Sequence, residues 1–135
     1  MKYIKLFVIT LLTSCNGISV EHLTDNYYLT KMDYEANNRS LSYKLGKGSY
    51  LGVVNATIFA VGYNDDFIIV KQHPRSFPNP PDTNMTNYYV VPLKFKVNHW
   101  ADENKFGPLT LEEFLIKRKE LEISDDLEFS VVFQK

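Results

Sequence analysis

Ile58-Phe-Ala-Val-Gly-Tyr-Asn-Asp-Asp-Phe-Ile-Ile-Val-Lys-Gln72 is the stretch on which the fold turns. Residues 58–61 and 67–70 are apolar runs of β-branched and aromatic side chains, and the Gly-Tyr-Asn-Asp-Asp segment between them tolerates turn geometry. The pattern predicts a β-hairpin. Phe67-Ile-Ile-Val70 is the densest apolar run beyond the N-terminus. An unbroken apolar strand is one covered on both faces, so this run is expected at the centre of a sheet.

Upstream, Tyr27-Tyr-Leu-Thr-Lys-Met32 predicts a first strand. Residues 39–45 predict a second, with Leu41, Tyr43 and Leu45 on one face, and residues 53–61 a third that runs into the hairpin. Downstream, Pro74, Pro78, Pro80 and Pro81 remove backbone donors, so residues 73–87 are expected as a long surface loop. Residues 88–95 resume as a strand in which Pro92 suggests a bulge or an edge position.

A helix is expected over residues 111–121. Thr110 is a good N-cap, Glu113 completes a capping box, and Leu109 with Phe114 matches a hydrophobic staple. Leu111, Phe114, Leu115 and Leu121 share one stripe that should face the sheet. Arg118 falls inside the stripe, where its stem is expected to pack and its head to reach solvent or a carboxylate. Residues 127–133 alternate apolar and polar, the mark of a last strand.

The fold expected is therefore α+β: an antiparallel, largely meandering sheet of about six strands with one C-terminal amphipathic helix packed on it. Its core should draw on Ile58, Phe59, Val61, Phe67, Ile69, Leu111, Phe114, Leu115 and Leu121. At 135 residues the chain carries at most one domain, and nine Tyr with nine Phe suit half-buried sheets.

The N-terminus is a different kind of segment. Lys2 and Lys5 precede Leu6-Phe-Val-Ile-Thr-Leu-Leu12, an apolar run far short of the roughly 20 residues a spanning helix needs. This is the layout of an export signal. Leu12-Thr13-Ser14-Cys15 then resembles the bacterial lipobox, in which the Cys thiol receives a diacylglyceryl group and signal peptidase II cuts just before it. Cys15 is the only cysteine, so a disulfide framework and a multi-cysteine zinc site are excluded. The organisation expected is a signal peptide over 1–14, a lipidated Cys15 and tether over 15–25, and a single α+β domain over 26–135. Cleavage after Gly17, giving a soluble secreted protein, and a retained anchor are the competing readings.

Without its first fourteen residues the chain has 13 bases against 16 acids, a mildly acidic surface that gives no reason to bind nucleic acid. His22, His73 and His99 are scattered, and a site built from His73, His99 and Asp102 is a weaker reading than surface histidines beside loops. Gly46-Lys-Gly48 lacks the features of a phosphate loop, and Asp65-Asp66 reads as turn chemistry. No motif calls for a cofactor.

The chain also resembles small bacterial lipoproteins grouped as domain-of-unknown-function family 3997. The resemblance lies in Cys15, the Val61 to Gln72 hairpin, Asn87-Tyr-Tyr-Val-Val91, and Phe106-Gly-Pro-Leu-Thr-Leu-Glu-Glu-Phe114 running into Lys117-Arg-Lys-Glu-Leu-Glu-Ile123. It covers about two thirds of the mature chain; the Pro-rich loop and residues 127–133 fit less well. It implies a lipoprotein and brings no catalytic residues.

Two functions of different classes follow. The favoured one is a lipid-anchored protein of the bacterial cell envelope, outer membrane if the cell is Gram-negative, since Asn16 rather than Asp follows the Cys. It would be a non-catalytic binding or scaffolding module. Its expected partners are the membrane through Cys15, signal peptidase II and lipid transferases during maturation, and a protein met by a sheet face or by the loop at Phe77, Tyr88 and Tyr89. The alternative is an enzyme or enzyme inhibitor whose site is dispersed along the chain. A deep pocket with convergent ionisable groups would favour the second, an exposed flat patch the first.

Overall fold

The structure is a computed structural model that describes residues 19–31, 38–76, 78–94 and 105–133. Among these residues the chain forms nine strands and one helix: β1 (Ser19–Thr24), β2 (Tyr27–Lys31), β3 (Arg39–Gly46), β4 (Ser49–Val54), β5 (Ile58–Tyr63), β6 (Phe67–Gln72), β7 (Asn87–Pro92), β8 (Phe106–Leu109), α1 (Leu111–Glu120) and β9 (Val131–Val132). The α+β class and the antiparallel pairing are as expected from the sequence. The strands, however, divide between two sheets. The first is the meander β1-β2-β3-β4; the second has the order β8-β7-β6-β5-β9.

Three layers result. Leu29 and Leu41 of the first sheet share a core with Ile58, Val61, Ile68, Val70 and Val91 of the second. On the other side of the second sheet, Ile69 and Val90 pack with Phe114 of α1, Ile123 and Leu127. The central run of β6 therefore alternates between two cores, and Ile68, Ile69 and Val70 are all fully buried. This is why that strand has no polar face.

The hairpin forms, with one correction to its turn. Gly62 and Tyr63 lie inside β5, and the reversal is made by Asn64, Asp65 and Asp66. The Asn64 side-chain oxygen accepts from the Asp66 and Phe67 amides at 2.9 and 2.8 Å, a local bond that replaces the missing ladder. Gly62 answers a different need: a Cβ there would run into the Glu128 carbonyl, because the chain after α1 crosses directly over β5.

Other boundaries also move. Within residues 15–25, expected as lipidated Cys and tether, Ser19–Thr24 form β1, which pairs antiparallel with β2. The strand expected over 53–61 is cut at residues 55–57, where the chain leaves the first sheet for the second. Pro92 is the buried last residue of β7, an interior strand, so it marks a strand end rather than an edge. The expected strand 127–133 shrinks to β9: Arg118 takes the Leu127 carbonyl, and the pairing of Val131 and Val132 with β5 is flanked by the Ser130 and Phe133 amides, which donate to the Val61 and Phe59 carbonyls.

Helix α1 begins as its sequence dictates. Thr110 Oγ1 accepts from the Glu113 amide at 3.2 Å, and Glu113 Oε2 accepts from the Thr110 amide at 2.8 Å. It ends in a Schellman arrangement in which Glu122 takes φ 54°, its amide donates to the Lys119 carbonyl, and the Ile123 amide donates to Arg118. The buried side of α1 is narrower than predicted. Phe114 is 2% exposed, whereas Leu111 and Leu115 are 52% and 50% exposed. Leu111 and Leu115 are thus not core residues. Leu121, Ile123 and Leu127 fill the space beside Phe114 in their place.

Candidate functional site

Four places have enough chemistry to consider. The first lies where β6 gives way to the Pro-rich loop. Gln72 bridges this end of the sheet: its Oε1 accepts from Asn87 Nδ2 at 3.1 Å and from the Tyr89 hydroxyl at 3.0 Å, and its Nε2 donates to the Asn55 carbonyl at 2.8 Å. His73 is next in the chain and 6% exposed, so it is not the surface histidine expected beside a loop. Its ring stacks on Phe59 with centroids 4.0 Å apart. Nδ1 faces the Met85 carbonyl at 3.0 Å, and since a carbonyl only accepts, Nδ1 carries the proton. The other ring nitrogen, Nε2, and Thr57 Oγ1 are buried with no protein partner among the described residues. They do not make a metal set, and no group of three metal-ligating side chains occurs among the described residues. His99 and Asp102 lie outside them.

The second place is a cleft of about 430 Å3 beside the hairpin turn, lined by Tyr63, Asn64, Ser124, Asp126, Glu128 and Ser130. Its wall exists because Arg118 donates to the Ser124 and Leu127 carbonyls, both at 2.8 Å, and holds the turn after α1 against the helix. Arg118 was expected to meet solvent or a carboxylate. Two backbone carbonyls take that role because the Schellman turn folds them back over the helix end.

The third place is the outer face of the first sheet. Tyr27 and Leu29 of β2 point to the core, so Tyr28 points away. Its cross-strand partners are His22 and Ser42. His22 meets the Tyr28 ring edge-on at 5.1 Å, Tyr50 meets it from the other side at 5.7 Å, and Lys44 Nζ lies 5.7 Å from its centre. Val20 continues the face at 42% exposure. Behind this sheet Tyr27 is fully buried, and its hydroxyl pKa is pushed up to about 12, chiefly by burial, with the nearby Tyr43 and Asp25 charges adding to it.

The fourth place is the free side of α1, where Leu111, Leu115 and Ile116 are each about half exposed. Leu111 and Leu115 are one turn apart and neighbours on the helix surface.

The residues singled out from the sequence separate. Tyr88 is half-buried in the seam between sheet and helix, stacked on Phe114 at 4.9 Å. Tyr89 points to the opposite core at 7% exposure, which removes it from any exposed patch; burial also raises its hydroxyl pKa, although bonds to Asn87 and Gln72 lower it. Phe77 lies outside the described residues, as do Leu12, Thr13, Ser14 and Cys15. Gly107, at φ 136°, leaves no room for a Cβ against the Tyr89 ring and the Tyr88 carbonyl. That contact explains the Phe-Gly-Pro-Leu sequence before the helix.

Residues 24–133 match the family model described as Protein of unknown function (DUF3997). The chain belongs to this family. The family match begins at the last residue of β1 and ends just after β9, so it takes in β2 to β9 and the helix. No curated protein and no solved structure matches the chain. Among the described residues no helix is long and apolar enough to cross a membrane.

Proposed function

We propose that this protein is a lipid-anchored component of the bacterial cell envelope, held through Cys15, and that it acts as a binding module for a protein partner. The observation that carries the anchor is the position of the only cysteine. It follows Leu12-Thr13-Ser14 at the end of a short export-type apolar run, and the first strand begins four residues later, at Ser19. Two or three acyl chains at that point suffice physically, since each buried methylene contributes about 0.8 kcal/mol.

The binding role rests on the free side of α1. Leu111 and Leu115 were expected in the core and instead stand half exposed on a helix whose ends are fixed by a capping box and a Schellman turn. A rigid helix presenting an apolar i, i+4 pair is a recurring form of protein recognition.

Two measurements test the reading. Cys15→Ser should abolish incorporation of labelled fatty acid and leave an uncleaved precursor. Wild-type protein found free of lipid, with Ile18 as its first residue, would show a soluble secreted protein instead. A photo-cross-linker at Ile116 should give one discrete adduct in intact cells, and Leu111→Asp with Leu115→Asp should remove it without lowering Tm. An adduct indifferent to those changes would move the binding surface elsewhere, the cleft at Asp126 and Glu128 being next to probe.

A further inference from the structure

We propose that the outer face of the four-stranded sheet lies against the bilayer; this rests on the anchoring of Cys15 argued above. Three residues separate Cys15 from Ser19, so a fully extended connection reaches about 14 Å at most. The strand at its end, β1, is the edge strand of this sheet, and the outer face begins with Val20, the second residue of β1. Whatever its tilt, the domain hangs from this edge and cannot stand off the membrane.

The chemistry of the surfaces within reach decides which one makes contact. The outer face presents Val20, His22, Tyr28, Lys44 and Tyr50, and β1 to β4 place no Asp or Glu on it. Tyrosine rings and a lysine head on an apolar stem suit the boundary between headgroups and acyl chains. The row at the chain's point of arrival is less suitable. Its cations are Lys31 and Arg39, and the Arg39 guanidinium is stacked on the Phe133 ring at 3.9 Å. The first layer's own acids lie off this face, Glu21 opposite Leu29 on the core-facing side of β1 and Asp25 in the β1–β2 turn at its rim, while Asp65, Asp66, Glu112, Asp125, Asp126 and Glu128 stand exposed on the other two layers.

A face of this kind, with a single lysine, would bind vesicles poorly as a free protein. Tethering changes the arithmetic, because a short link holds the face near the bilayer at an effective concentration of about millimolar or more. The arrangement also turns α1 outward. Packed layers are about 10 Å apart, so the helix stands as the third layer from the membrane, with Leu111 and Leu115 accessible to a partner.

The test uses the full lipidated chain in vesicles of phosphatidylethanolamine and phosphatidylglycerol containing a headgroup spin-labelled lipid. With Cys15 acylated, an introduced cysteine is the only thiol. Gly52→Cys suits the outer face, since a Cβ there meets nothing within 4 Å, and Lys119→Cys suits the exposed last turn of α1. A fluorophore at position 52 should be quenched several-fold more than one at position 119. Tyr50→Glu should bring quenching at 52 down to the level at 119 while the protein stays on the vesicles. Equal quenching at the two positions overturns the proposal, and so does quenching at 52 that Tyr50→Glu leaves unchanged. Failure of the anchoring itself has a separate signature, a wild-type chain whose Cys15 thiol takes up the label and which does not pellet with vesicles.

Discussion

His73 Nδ1 donates to the Met85 carbonyl across 3.0 Å and thereby closes the Pro-rich loop upon itself. The same ring is stacked on Phe59, and its backbone pairs with Thr57 in both directions, extending the β5–β6 ladder by one pair. One residue thus links the loop to the sheet. Within the loop, the Asp82 amide bonds to Pro74 and Arg75 Nε bonds to Asn79, both at about 3 Å.

His73→Ala should lose the stack and the clip together, at a cost of about 2–3 kcal/mol in urea unfolding. His73→Phe keeps an aromatic on Phe59 and should cost about 1 kcal/mol. Trypsin should cut after Arg75 several-fold faster in both variants, because the clip is absent in each. Cleavage at the wild-type rate in His73→Phe would mean that the loop is held by its own internal bonds.

The ends of α1 give a pair of opposite effects. Thr110→Ala removes the acceptor of the Glu113 amide and should cost about 1 kcal/mol. Glu122 occupies φ 54° at the position where helices prefer glycine, so Glu122→Gly should stabilise by about 0.5–1 kcal/mol. Urea midpoints of the two variants should therefore fall on either side of wild type.

Much of this was legible in the chain, for identifiable reasons. The hairpin and the helix start are written locally, in Asn64 between two apolar runs and in the Thr110–Glu113 pair. The division into two sheets was not, because the switch at residues 55–57 interrupts Val53 to Val61 without a Gly or Pro to mark it. Leu111 and Leu115 misled because a helical wheel shows which residues share a side, not how much of that side a sheet can cover. The aromatic outer face was hidden for a similar reason: Tyr27 and Tyr28 are adjacent, and only the strand register shows which is buried.

That difference along α1 can be measured. Phe114 contacts Tyr88 and Phe129 in the seam, so Phe114→Ala should cost about 3–5 kcal/mol. Leu111→Ala and Leu115→Ala should each stay within about 0.5 kcal/mol, as at other surface positions. Similar losses for all three would mean that the helix sits rotated, with Leu111 and Leu115 in the core.

Alkaline pH should expose the burial of Tyr27. Its hydroxyl ionises near pH 10 in an unfolded chain and near 12 in the folded one, because burial first, and then the Tyr43 and Asp25 charges, disfavour the phenolate. Between those values the folded state holds a proton that the unfolded state has released. Stability therefore falls as pH rises from about 10 to about 12, and the full contribution is present below pH 10. Tyr89 shifts in the same direction and adds to the decline, with Asn87 and Gln72 moderating its share. Urea midpoints measured from pH 9 to pH 12 should drop in wild type and drop less in Tyr27→Phe. Equal declines in the two proteins would place the cause elsewhere, and absorbance at the phenolate band would then show Tyr27 titrating with the exposed tyrosines.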